Sequence, residues 1–268
     1  MKYKLSVYYA AFFLLISTCL IICCGKPASN AAAKVRQEKR VLIFTKTAPD
    51  SYRHVSIESA KIAVKKLCEE NGYLADTTEN SAFFTDEKLK QYSTLIFISS
   101  NKDVFTDDQK AAFQRYIRAG GGFVGIHAAT GTEREWAWYG KLVGAVFVWH
   151  PPIQTGTIDV IDQTHPSTKD LPKRWQRYDE WYFFRDINPN IKVLATLDTT
   201  TFKSERHTAN YPFAWYHEFE GGRSFYTAGG HSPEDYSNPV FQKHILGGIQ
   251  YAIGNNYELD YTKASAYK

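Results

Sequence analysis

Three consecutive glycines, Gly120 to Gly122, and a fourth at Gly125 lead into His127, which Ala128, Ala129 and Thr130 follow. Glycine lets a backbone turn tightly and approach other backbone closely, so this stretch reads as a strand-to-helix elbow that projects one reactive side chain. Hydrolases of the α/β type present a serine in this way. The residue presented here is an imidazole. That disfavours acyl-enzyme chemistry at this position and leaves proton transfer near neutral pH, metal ligation or a hydrogen-bonding clamp. His150, which precedes a proline at an expected strand end, is a secondary pocket candidate. Trp136 and Trp138 follow the elbow in an interval too polar for a buried helix, Thr132-Glu133-Arg134-Glu135, so one of them is expected to face a pocket.

The elbow needs a sheet to hold it. Residues 41–44 and 94–98 are continuous apolar runs of the length of buried strands, and 122–127 supply a third. Between them, residues 56–71 place Ile57, Ala60, Val64 and Leu67 at helical spacing before Gly72, and Thr106 to Gln109 form a capping box that opens a second helix ending at Gly120. Strands alternating with helices imply right-handed βαβ units in a parallel sheet covered on both faces. Ligands bind at the carboxyl ends of such strands, which puts the loop 45–54 and His127 on one rim. The second half differs: 157–161, 181–186, 192–197, 213–219 and 224–228 are strand-like and aromatic, so antiparallel or mixed additions are expected, with a last helix over 239–253.

The chain has 268 residues and a formal charge of +4. Lys2, Lys4 and the apolar run 5–22 read as a targeting segment. Its ending, Cys23-Cys24-Gly25, resembles a bacterial lipobox in which Cys24 is lipidated, which implies a domain anchored to the cell envelope. Residues 1–24 are then the signal segment, 25–39 a tether, 40–255 one α/β domain and 256–268 a tail. Without Lys2 and Lys4 the charge is close to neutral, and nothing suggests a nucleic-acid partner. Cys68 is then the one free cysteine of the mature domain. No internal disulfide or cysteine-built metal centre can form, and its place on a helix's apolar stripe marks it as a small buried hydrophobe.

The order TKT…RHVSIESA, GGGFVGIHAAT, HP at His165-Pro166, DEWY at Asp179 to Tyr182, PFAW at Pro212 to Trp215 and GRSFYTAGGH at Gly222 to His231 resembles the ThuA-like family, named for trehalose utilisation. The resemblance covers nearly the whole domain. It implies a flavodoxin-like three-layer sandwich similar to class I glutamine amidotransferases, with a mostly parallel central sheet. It also implies a role in sugar metabolism, often beside a sugar oxidoreductase that makes 3-keto sugars. By the resemblance, Arg53, His54, His127, Glu180, Tyr182, Trp215 and His231 converge on one pocket, with His127 and Glu180 as an acid–base pair. His54, His127 and His231 would be the ligands if a divalent metal such as zinc is bound. The spacing offers no HxxxH or HxH signature, so a metal site and a metal-free polar pocket both stay open. The plainer alternatives are a helix-capping role for His54, a core position for His127, a surface ion pair of Glu180 with Arg177 or Arg185, and a turn role for His231. A glutamine amidotransferase proper would need a cysteine at the elbow.

Overall fold

The computed structural model describes residues 39–205, 211–254 and 259–265; the expected signal segment and tether, through residue 38, lie outside them. The parallel half is built from β1 (Arg40–Phe44), β2 (Leu74–Thr78), β3 (Thr94–Ile98) and β4 (Gly122–Ile126). Every residue of β3 and β4 is buried, as the apolar runs require of strands covered on both faces. Helices α1 (Ile57–Glu70), α2 (Asp86–Leu89) and α3 (Asp107–Arg118) connect them, and the capping box of Thr106 with Gln109 opens α3 as expected. After the elbow come α4 (Ala137–Val143), β5 (Val146–Trp149), β6 (Gln154–Val160), β7 (Arg174–Asp179), β8 (Phe183–Arg185), β9 (Lys192–Asp198), β10 (Tyr211–Phe219), β11 (Gly222–Thr227) and α5 (Pro239–Ile253). The strand expected over 181–186 is therefore shortened to β8. Trp181 and Tyr182 precede it in extended linking chain.

Among the described residues one sheet has the order β2-β1-β3-β4-β11-β10-β9-β6-β7, and β5 pairs separately with β8. The first five strands of that order are parallel, and the remaining four are joined antiparallel. This is the α/β architecture expected, with the antiparallel additions in the second half. A flat sheet would hold β7 about 19 Å from β11 at ~4.8 Å per strand. Yet Trp175 of β7 meets Phe213 of β10 with ring centres 6.3 Å apart. Asp179 at the end of β7 also accepts a hydrogen bond from the Gly230 amide, just past β11, at 3.2 Å. The antiparallel half therefore curls back over the carboxyl ends of the parallel strands.

Of the expected pocket residues, Trp215 belongs to the core instead, and Trp136 is half-buried beside a separate cavity with Lys110, Glu133 and Glu135. Trp215 of β10 is wholly buried, stacks on Tyr226 with centres 4.4 Å apart, and donates its indole N–H to the Val143 carbonyl at 2.8 Å. No face of it is open to a ligand. Trp136 packs on Trp138 and Tyr139, and Trp138 donates to Glu220, so neither indole faces the histidine cluster. The interval before them is only partly solvated: Glu135 is exposed, but Glu133 is 1% exposed and satisfied by the amides of Val104 and Phe105 and by Lys110. Changing Trp215 to Phe leaves the buried Val143 carbonyl unpaired. It should lower stability by about 1–3 kcal/mol, read from urea denaturation; an unchanged midpoint would refute that role.

Residues 259–265, expected as a tail, include a short 3-10 turn, Tyr261–Lys263. They dock on α3: the Asp260 amide donates to Ala119 and Arg118 donates to Ser265.

Candidate functional site

The loops that leave β1, β4 and β11 at their carboxyl ends carry His54, His127 and His231, and the end of β7 brings in Glu180. His127 begins the turn after β4 with φ of +54°. A side chain in the left-handed region costs about 1 kcal/mol, so the elbow is strained as well as tight. Gly125 makes it possible: a Cβ there would sit 3.0 Å from Tyr226 and 3.3 Å from Ala129. Gly230, at φ +111°, does the same for His231, since a Cβ would lie 2.6 Å from the Tyr236 hydroxyl. The His127 carbonyl accepts from the Tyr226 hydroxyl at 2.8 Å, which fastens the turn.

The four side chains meet, with one ligand atom of each within 4.8 Å of the others. His127 is fully buried, and its ring lies 4.7 Å from that of His54 and 5.4 Å from that of His231. Its Nδ1 sits 2.8 Å from the Ala228 carbonyl, which can only accept, so Nδ1 carries a proton. Nε2 faces the Tyr182 hydroxyl at 3.0 Å and Glu180 Oε2 at 3.3 Å. The same Oε2 is 3.1 Å from His231 Nδ1, and Oε1 is 3.5 Å from Nε2 of His150. His54 is 5% exposed, and its Nδ1 has no hydrogen-bond partner among the described residues.

The electrostatics follow from that packing. Burial, then repulsion by His127, pushes the His54 imidazole down to about 2, so it is neutral. Burial raises the Glu180 carboxyl, but contacts with His127 and His231 outweigh it and hold the group well below the usual carboxylate range. Burial lowers His231, and Glu180 more than reverses the effect. Burial lifts the Tyr182 phenol well above its ordinary value, so it keeps its proton.

The structure thus brings together His54, His127, Glu180, Tyr182 and His231, with His150 at the lip. Arg53 stands apart, held on the surface by Glu79 and Glu58. His54 does not cap α1, and neither does the hydroxyl of Ser56, which reaches the Gly230 carbonyl. Among the described residues Glu180 pairs with neither expected arginine: Arg185 pairs with Glu135 and Asp186, and Arg177 with Asp179 and Asp235. Two residues were missed by the sequence reading. Asp179 is fully buried; its carboxylate accepts from the amides of Glu180 at 2.9 Å, Gly230 at 3.2 Å and His231 at 3.3 Å, and from Arg177 at 2.8 Å. Tyr52, 59% exposed, sets its ring edge-on to His54 at 4.8 Å and offers its open face to solvent.

A parallel sheet whose central strand ends in a strained elbow, with a ring of residues above it from the neighbouring strand ends, defines a protein of the class I glutamine amidotransferase-like fold. Its elbow carries an imidazole in place of a nucleophile. The chain belongs to the ThuA family, described by trehalose utilisation, whose model matches residues 40–252. A ThuA-like protein of Bacteroides uniformis is 26% identical, with a TM-score of 0.70 over 88% of this chain and 99% of that one. A second, from Parabacteroides merdae, is 19% identical, with a TM-score of 0.64 over 86% and 98%. A GMP synthase component of Thermoplasma acidophilum shares the fold alone, at 12% identity and a TM-score of 0.51 over 81% and 95%. No curated protein matches the sequence significantly.

Proposed function

We propose that the chain is an enzyme acting on an oxidised sugar, a 3-keto glycoside or a close relative, in the pocket formed by His54, His127, Glu180 and His231. The observation that carries this reading is the convergence of three imidazoles and a carboxylate at the carboxyl ends of the parallel strands, above a strained elbow. Membership of a family implicated in trehalose utilisation supports the carbohydrate. So does Tyr52, whose exposed face beside His54 suits the apolar face of a sugar ring.

A carbonyl on the sugar acidifies the neighbouring carbon, so a site of this kind needs a group that polarises the carbonyl oxygen and another that moves a proton. Tyr182 and His150 stand beside Glu180 with their rings 5.8 Å apart, and His150 presents Nε2 because its Nδ1 is committed to the Pro151 carbonyl at 2.8 Å. His127 and Glu180 supply either the proton relay or part of a cation's ligand set. Glutamine hydrolysis finds no support among the described residues. His127 occupies the elbow, and the thiol of Cys68, buried in α1, is pushed up to about 12 by that burial. We further propose the envelope anchor through Cys24 and an oxidoreductase partner that makes the keto group.

The test is NMR of the full chain with a panel of 3-keto and unmodified disaccharides. New product resonances are expected with keto sugars, and His127→Ala should remove them while the circular dichroism spectrum stays native. Line broadening without product would make the protein a sugar binder, and turnover unaffected by His127→Ala would remove the pocket from the reaction.

A further inference from the structure

We infer that His54, His127, His231 and Glu180 bind one divalent transition-metal ion, of the class that takes imidazole and carboxylate ligands, with zinc the first choice. This rests on the pocket of the proposed function and names the cofactor of that same site.

The hydrogen bonding of His127 is the first reason. Its Nδ1–H is committed to the Ala228 carbonyl, so Nε2 is the ring atom left to face Glu180 Oε2, 3.3 Å away. The buried pair needs a cation between its two acceptors, and the ion fills that place where a ring proton would otherwise. A ring N–H fixed on a backbone carbonyl is also the usual outer support of a histidine ligand, because it sets the tautomer and the ring's direction.

The distances are the second reason. Ligands about 2 Å from a tetrahedral ion stand about 3.3 Å from one another. Oε2 of Glu180 is 3.3 Å from His127 Nε2 and 3.1 Å from His231 Nδ1, so two edges of such a tetrahedron are already set. His54 completes it with an imidazole that is 95% buried and whose Nδ1 has no hydrogen-bond partner among the described residues. A buried polar nitrogen left without a partner is costly, and ligation removes that cost. The set of three imidazoles and one carboxylate oxygen suits zinc, and also manganese, iron or cobalt.

Asp179 supplies the remaining support by holding the amides of both Glu180 and His231. Tyr182 is the group that must give way, since its hydroxyl occupies Nε2 of His127 at 3.0 Å. Released, it stays within reach of whatever binds beside the ion.

The experiment is elemental analysis of the full chain purified without a histidine tag, followed by calorimetric titration of the chelator-treated protein with Zn²⁺, Mn²⁺ and Co²⁺. One equivalent per chain is expected. Affinity should fall at least about a hundredfold in His231→Ala and in Glu180→Gln. His231 is partly exposed on a loop, so its variant should keep the native circular dichroism spectrum; if it does not fold, the Co²⁺ complex of the wild type carries the test, with the intense visible bands of a four-coordinate site expected. No binding of any of the three ions would overturn the inference and leave a protonated imidazole paired with Glu180. Binding of equal affinity in both variants would overturn it too, by placing the ion elsewhere. The two readings fail separately. Metal bound with no sugar consumed sinks the proposed reaction alone, whereas full turnover by the chelator-treated protein sinks the metal alone.

Discussion

Asp179→Ala is expected to destabilise the fold by about 3–5 kcal/mol, the cost of breaking a buried charge pair by removing one partner, and to leave the pocket without its order. The carboxylate has four donors, and no water stands ready to replace it, since its side chain is fully buried. Arg177 would keep only Asp235 as a counter-ion, at 2.7 Å. Burial and the Asp179 charge raise the Asp235 carboxyl, so removing Asp179 lets Asp235 ionise more readily and recovers part of the loss. For a domain of ordinary stability, about 5–15 kcal/mol, the variant stays folded but marginal. Asp179→Asn separates structure from function: it keeps the shape and one acceptor oxygen, but turns an N–H₂ toward the amides. It should denature in urea nearer the wild type than Asp179→Ala does, while kcat on the keto sugar falls further than KM rises, because Glu180 and His231 lose their shared anchor. Equal urea midpoints for Asp179→Ala and the wild type would show that the clamp carries no load.

How much of this was legible depended on what each strand buries. β1, β3 and β4 bury apolar side chains on both faces, so their runs announced a parallel sheet and placed His54 and His127 on one rim. β7 gave no such signal. It alternates buried and exposed residues as a strand should, but its buried face is Trp175, Arg177 and Asp179. Two charges on an inward face look like a loop until their partner is known, and that partner, Asp235, is 58 residues from Arg177. β2 was missed because only Ala75 of its five residues is buried at the sheet's edge. The opposite error put Trp136 in the pocket. The charges ahead of it suggested solvent, whereas Glu133 is buried and fully satisfied. Glu180 was recognisable by its motif, yet its neighbour in that motif, Asp179, gave no sign of its role. A carboxylate's job is set by which amides the chain folds onto it, and those of Gly230 and His231 arrive from half a sheet away.

Acid should destabilise the protein through buried histidines both in the pocket, where His54 is held down to about 2, and outside it. His244, on α5, is wholly buried; its Nδ1 bonds the Ser167 carbonyl at 2.9 Å, and its Nε2 has no hydrogen-bond partner among the described residues. Burial pushes this imidazole down to about 4 from an ordinary 6.5. Between those values the unfolded chain binds a proton that the native state refuses, so ν is larger unfolded and stability rises with pH. The contribution is fully present above 6.5 and is lost as pH falls toward 4, by about 3 kcal/mol at pH 4. His165, pushed to about 4 by burial and 6% exposed, acts with the same sign. His231 acts with the opposite sign, because its raised value makes the native state the better proton binder, and the raised Asp235 opposes as well. The total slope therefore mixes several groups, and the measurement that isolates His244 is a difference. Urea denaturation of the wild type and of His244→Gln at pH 7 and pH 4 should show the wild type losing about 3 kcal/mol more than the variant over that interval. Parallel losses in the two proteins would mean that His244 is protonated as readily in the fold as outside it.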